Sequence, residues 1–379
     1  MKIYLDNAAT TRPNGRAVQR AMRWTEERWF NPSGLYREGL EVRSDLKEAR
    51  TWLCSRLGDP AEISLVFTAC GSEADNQALF SFARRGNLVI SGGEHAAIFA
   101  AASELKNRGI ELRVAPLNGD GSVNEEGLLS LVDDKTSLVS VIHVNNETGA
   151  INDVNALAAA VKKRNPRLYF HSDGVQAFGK IPYKLGAAVD LYSVSAHKIG
   201  GLKGVGGLFA RKKAYSVLHP YIYGGGQEDA KRSGTENTFG IMQFRFAAEA
   251  KFAALAEDYA RIKGYRDSLR EGLDQSIFTS VSPENGTPYI LTVSAQGLRG
   301  ETLLHLSDDN GLIVGTGSAC SSNAKKRYSR VILACGRTEA EADGILRISF
   351  SPETTADEIA SAIKILNGCA AELKKRMNL

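Results

Sequence analysis

Short apolar runs recur through the first two-thirds of the chain. Residues 63–67 (ISLVF), 87–91 (NLVIS), 137–144 (SLVSVIHV), 168–171 (LYFH), 189–195 (VDLYSVS) and 206–210 (GGLFA) are the main ones. Continuous runs of this length, with little polar alternation, predict strands buried on both faces. Helix-length segments such as Asn155 to Arg164 separate them. The combination predicts an α/β fold, a mostly parallel sheet flanked by helices, in which function collects at the carboxyl ends of the strands.

From Ile241 the period changes. Ile241, Phe244, Ala248, Phe252, Leu255, Tyr259, Ile262, Tyr265 and Leu269 recur at spacings of three and four, which predicts a long amphipathic helix. It leads from a large domain, 15–255, to a smaller α/β domain made of 1–14 and 256–379. The smaller domain holds PYILTVSA, GILRISFS and a loop carrying Cys320.

Length supports the division, because 379 residues exceed the ~250–300 at which single cores stop growing. A net charge of +4 is mild and argues against a dedicated nucleic-acid protein. The five cysteines are odd in number and widely spaced, with no C-x-x-C pair and none at zinc-site spacing from a histidine, so no metal site is expected. No stretch reaches the ~20 apolar residues of a membrane span. The opening MKIYLDNAATT does not read as a signal peptide. A cytoplasmic, reducing location follows as the expectation.

Polar residues after the runs carry the candidate chemistry. SAHKIGGLKGVGG places Lys198 after a strand, where desolvation lowers an amine's pKa and suits it to imine chemistry; a surface-turn lysine is the alternative. HSDGVQ places Asp173 and Gln176 at another strand end, as ligand-holding groups or as a helix cap. FTACGSEADN offers Gly71 and Ser72 at a helix start, either an anion cradle or a capping box of Ser72 with Asp75. His95 and Asn146 follow two further strands. Together, a lysine, an acid, an amide and backbone donors meet the needs of a pyridoxal phosphate site.

GTGSACSSNAKK sets Cys320 among glycines and small polar residues, with little apolar surface beside it. A free thiol titrates near ~8.5 and needs help to be a nucleophile. Lys325, Lys326 and Arg327 either supply that help or are solvated loop charges.

The ordered motifs YLDNAATT, NPSG, FTACGSEADN, NNETG, HSDGVQAFGK, SAHK, RSGTEN, GSAC and LRISFS resemble the cysteine desulfurases of the nitrogen-fixation and iron–sulfur-cluster type, from Tyr4 to about Ile359. These are fold-type-I pyridoxal phosphate enzymes of the class-V aminotransferase group. The resemblance implies that Lys198 links covalently to the cofactor, His95 stacks on its ring and moves protons, and Asp173 holds the pyridinium. Gln176 and Asn146 contact the ring oxygen and the neighbouring substrate region. Gly71, Ser72, Ser195 and His197 correspond to phosphate ligands. Thr235 corresponds to one reaching across from a partner subunit, which implies a homodimer. Arg347 corresponds to the arginine for the carboxylate of L-cysteine. Cys320 corresponds to the nucleophile that takes the sulfur as a persulfide, leaving L-alanine, and passes it to an acceptor or scaffold protein for iron–sulfur cluster assembly, thio-cofactor synthesis or tRNA thiolation.

Three departures leave the acceptor open: NAKKRYSR after Cys320 where the family often has an acidic-proline turn, Asp229 where it has arginine, and SPETT in place of a glycine–arginine pair. A selenocysteine lyase or another class-V enzyme is the alternative, and a non-catalytic cofactor-binding scaffold a third; Cys320 speaks against an aminotransferase.

Overall fold

The protein's structure is a computed structural model that describes residues 2–317 and 328–377. Cys320, Lys325, Lys326 and Arg327 lie outside the described residues.

Twelve strands are present among the described residues: β1 (Ile3–Tyr4), β2 (Ile63–Thr68), β3 (Asn87–Ser91), β4 (Glu111–Ala115), β5 (Thr136–Ser140), β6 (Tyr169–Asp173), β7 (Leu191–Ser195), β8 (Gly206–Arg211), β9 (Phe278–Ser280), β10 (Ile290–Ala295), β11 (Leu312–Ile313) and β12 (Ile345–Ser349). Seven form one sheet in the order β2-β8-β7-β6-β5-β3-β4. Only β8 runs against its neighbours, so the sheet is mostly parallel.

Alternation along each strand explains the continuous apolar runs. Leu65, Phe67, Val89, Val139, Phe170, Tyr192 and Phe209 face one hydrophobic cluster. Their strand neighbours Val66, Leu88, Ile90, Leu138, Leu191 and Leu208 face another. Successive strand residues point to opposite faces, and both faces are roofed by helices. Helices Arg37–Leu57, Val154–Arg164 and Thr238–Ala253 cover the first, and Gly71–Phe82 and Ala96–Asn107 the second.

Two expectations need adjustment. The run 137–144 ends its assigned strand at Ser140, although Val141 N and His143 N still donate to His171 O and Asp173 O and the segment stays buried. The single helix expected from Ile241 to Leu269 is two, Thr238–Ala253 and Leu255–Gly272, parted at Ala254. The first buries Ile241, Phe244 and Ala248 against the seven-stranded sheet, whereas the second buries Ile262 and Leu269 in a separate cluster. Two packing targets in different directions require the break.

That separate cluster surrounds the antiparallel sheet β12-β10-β9 and includes Leu312 of β11 and Leu5, the residue after β1, which pairs parallel with β11. The segment after β1 ties the two sheets together. Asn7 Nδ2 donates to Ser349 O at 2.9 Å, and the Thr11 hydroxyl donates to His197 O at 2.7 Å. No helix among the described residues is long and apolar enough to cross a membrane.

Candidate active site

The parallel strands deliver their polar followers to one edge of the sheet. Gly71 follows β2, His95 follows β3, Asn146 follows β5, Asp173 ends β6, and His197 and Lys198 follow β7. Together with Ser72, Gln176, Ser195 and Arg347 they line a cavity of about 350 Å3. One described candidate lies elsewhere. Thr235 lines a separate hollow beside Glu228 and Arg232, and Cys320 is outside the described residues.

At one end of the cavity, helix Gly71–Phe82 opens without a side-chain cap. The capping-box alternative does not form, because Asp75 turns inward and is 1% exposed. A Cβ at Gly71 would stand 2.8 Å from Val175 Cγ2, so the close approach of this turn requires glycine. Ser195 Oγ is buried beside it with no hydrogen-bond partner among the described residues. Free helix-start amides and an orphaned hydroxyl make an anion cradle.

Asp173 forms the floor. Its Oδ1 accepts from Val175 N at 2.9 Å, which opens the turn that carries Gln176. Burial raises its carboxyl above the usual range, while His95 and Lys198 pull it back. A cationic ring nitrogen placed there would complete the pairing. Asp75 also lines the cavity, with Oδ1 lacking a hydrogen-bond partner and its acid held up by burial and by Asp173.

His95 caps helix Ala96–Asn107: its Nδ1 accepts from Ala97 N at 3.2 Å. That contact leaves Nε2 to carry the proton of the neutral ring, and burial lowers its pKa further into the neutral form. The capping contact therefore leaves Nε2 available for a chemical role. His197 is held to about 4 by burial and the nearby lysines, and its Nδ1 lies 3.1 Å from Thr10 Oγ1. Its ring is neutral near pH 7.

Lys198 ends the short turn Ala196–Lys198, and its Nζ donates to Ala8 O at 2.6 Å and Ala9 O at 2.7 Å. It is not a surface-turn lysine. Gln176 Nε2 donates to the same Ala8 carbonyl at 2.8 Å. Arg347, on β12, is 5% exposed. Its Nη1 donates to Asn146 O at 3.0 Å, Nη2 pairs with Asp6 at 2.9 Å, and Nε has no hydrogen-bond partner among the described residues.

Asp6, Asp75 and Cys70 belong to this neighbourhood but were not among the sequence candidates. All three sit inside the motifs YLDNAATT and FTACGSEADN, which was the available signal.

Residues 3–361 match the family model described as aminotransferase class-V. The chain is 34% identical to a cysteine desulfurase of Gluconacetobacter diazotrophicus, covering 98% of this chain and 94% of that protein. It is 31% identical to the cysteine desulfurase NifS of Azotobacter vinelandii, over 98% and 93% of the two chains. A solved NifS-like protein superposes with a TM-score of 0.90 at 33% identity, covering 98% of this chain and all of the other.

Proposed function

Because this chain belongs to the class-V aminotransferase family, among its cysteine desulfurases, we propose that the cavity binds pyridoxal phosphate and L-cysteine and that Cys320 removes the substrate's sulfur. The observation that carries this reading is the convergence of Lys198, Asp173 and an empty-handed anion cradle in one cavity. The donor set fits the cofactor: a lysine for the aldehyde, an acid for the ring nitrogen, and helix-start amides with Ser195 and His197 for the phosphate. When bound, pyridoxal phosphate supplies an electron sink for bonds around the substrate's α-carbon.

The chain's own groups do the rest. Arg347 holds the carboxylate with a planar guanidinium whose Nε is still unengaged. Lys198 takes the α-proton, and His95 moves a proton through Nε2. Asn146 borders the substrate region and Gln176 faces the cofactor's ring oxygen. The Cys320 thiolate then attacks the substrate sulfur: the Sγ–S bond forms, the Cβ–S bond breaks, and the carbon takes up protons to leave as L-alanine. Cys320 retains the sulfur as a persulfide for an acceptor or scaffold protein.

The active unit is a homodimer in which Thr235 reaches the partner's phosphate site. Its distance from its own cavity supports this, as do the exposed apolar residues Tyr223 at 80% and Leu35 at 86%. A reducing cytoplasm suits the free thiols of Cys54, Cys70, Cys335 and Cys369.

The test is borohydride reduction of the cofactor-loaded protein followed by peptide mapping, with L-alanine measured from L-cysteine. Cofactor fixed on Lys198 is expected. Fixation on another lysine, or no alanine, refutes the reading.

A further inference from the structure

The same turn that carries Gln176 also carries Lys180, a lysine that the chemistry above does not use. Gly174 O accepts from Ala177 N and Phe178 N at 2.9 Å, and Ala177 O accepts from Lys180 N at 3.0 Å, so the turn runs on and returns Lys180 to Gln176. Lys180 is 4% exposed and makes no ion pair among the described residues. Its Nζ donates to Gln176 Oε1 at 2.8 Å and lies 5.9 Å from the Tyr289 ring centroid. Burying a lysine without a carboxylate is costly, and Lys198, Lys251 and Arg347 add repulsion, pushing its pKa well below the ordinary value. Such a residue needs a compensating use.

Its use is legible in the amide it touches. Lys180 Nζ donates to Oε1 of that amide, and the Ala8 carbonyl on the other side of Gln176 only accepts. Between these two the amide has a single orientation, with Oε1 turned away from the cavity and Nε2 turned towards Ala8 O and the Lys198 amine that shares it. We propose that Lys180 is a positioning residue for the cofactor: it locks Gln176 so that the amide presents its N–H donors, and not its oxygen, to the cofactor's ring oxygen. This inference rests on the pyridoxal phosphate reading above. Without Lys180 one of the two contacts that fix the amide is gone, and an oxygen turned to the ring oxygen repels it.

The test is a double-mutant cycle on the full-length protein, stripped of cofactor and titrated with pyridoxal phosphate, with the visible band of the bound cofactor as a second readout. Lys180→Met weakens binding about threefold to tenfold, the worth of one lost hydrogen bond, and alters the band. It also raises the melting temperature of the cofactor-free protein, because a buried amine without a carboxylate partner is gone. In a Gln176→Ala background, Lys180→Met has no further effect on binding. Gln176→Glu keeps the contact to Lys180 but lacks a donor, and weakens binding as Gln176→Ala does. Additive losses in the double mutant, or wild-type binding by Lys180→Met or Gln176→Glu, overturn the positioning role alone. A wild-type protein that binds no pyridoxal phosphate overturns the cofactor reading and this inference with it.

Discussion

Arg347 Nη2 stands 2.9 Å from Asp6 Oδ1, in an ion pair whose side chains are 6% and 18% exposed. It joins the segment after β1 to β12 at the point where Asp6 bridges Ser349. The guanidinium that we propose receives the substrate carboxylate is therefore already oriented by a carboxylate of its own chain.

Asp6→Asn removes the charge that compensates a buried arginine. A loss of about 2–3 kcal/mol in unfolding free energy is expected, below the full cost of breaking a deeply buried pair because Asp6 retains some solvent. Urea denaturation measures it, and a KM for cysteine that changes in step would show the orienting effect. Unchanged stability would mean that the pair is dispensable.

Glu94 is 1% exposed, accepts from Ser91 Oγ and Ile142 N at 2.6 Å, and is raised by burial from 4.5 to about 8. The folded state thus keeps a proton that the unfolded chain releases. The stability Glu94 contributes is full below pH 4.5 and is lost as pH rises through about 8. Glu147, raised to about 7, acts in the same direction. His143 and His171, lowered from 6.5 to about 3 by burial, act on the other arm: their stability is present above pH 6.5 and lost as pH falls through 3. Glu94→Gln should flatten, in part, the decline in melting temperature between pH 4.5 and about pH 8 without changing the acid arm below it. An alkaline arm identical to wild type would refute the assignment.

Cys70 is an exposed free thiol lining the candidate cavity, whereas Cys54 and Cys335 are buried and pushed up to about 12 and about 11. Iodoacetamide should label Cys70 well before those two in the cofactor-free protein, and more slowly once pyridoxal phosphate is bound. Equal labelling with and without cofactor, read by peptide mass spectrometry, would place the cofactor elsewhere.

Cys320→Ser should keep cofactor and substrate binding and still lose alanine production, at ~1.4 kcal/mol for each tenfold. A hydroxyl fills nearly the same space but is a poor nucleophile towards sulfur. In the wild type, brief exposure to cysteine should add one reducible sulfur to the Cys320 peptide. Sulfur found on Cys54, Cys70, Cys335 or Cys369 instead would reassign the nucleophile.

Thr235→Ala and Lys198→Ala chains, each inactive, should recover part of the activity when mixed and allowed to exchange, because one composite site per dimer is then intact. Proven heterodimers without activity would rule out shared sites.

Much of this was readable from local sequence. A strand such as 87–91 or 189–195 is specified by its own run of apolar residues, and Lys198, His95, Asp173 and Gly71 each follow such a run within a few positions. In a parallel sheet, strand ends share one edge, so four local signals imply one site before any contact is known. What the pattern could not reveal depends on partners distant in the chain. β4 is an edge strand with mostly unburied side chains, so it leaves little apolar trace. The division of 238–272 into two helices reflects two separate cores, although its helical period runs on without interruption. Asp6 meets Arg347 across most of the chain's length, and Lys180 becomes a buried lysine only when Tyr289 packs near it. Periodicity records which face of an element avoids water, but the group that covers that face, and the charge it brings, is settled only when the chain folds back on itself.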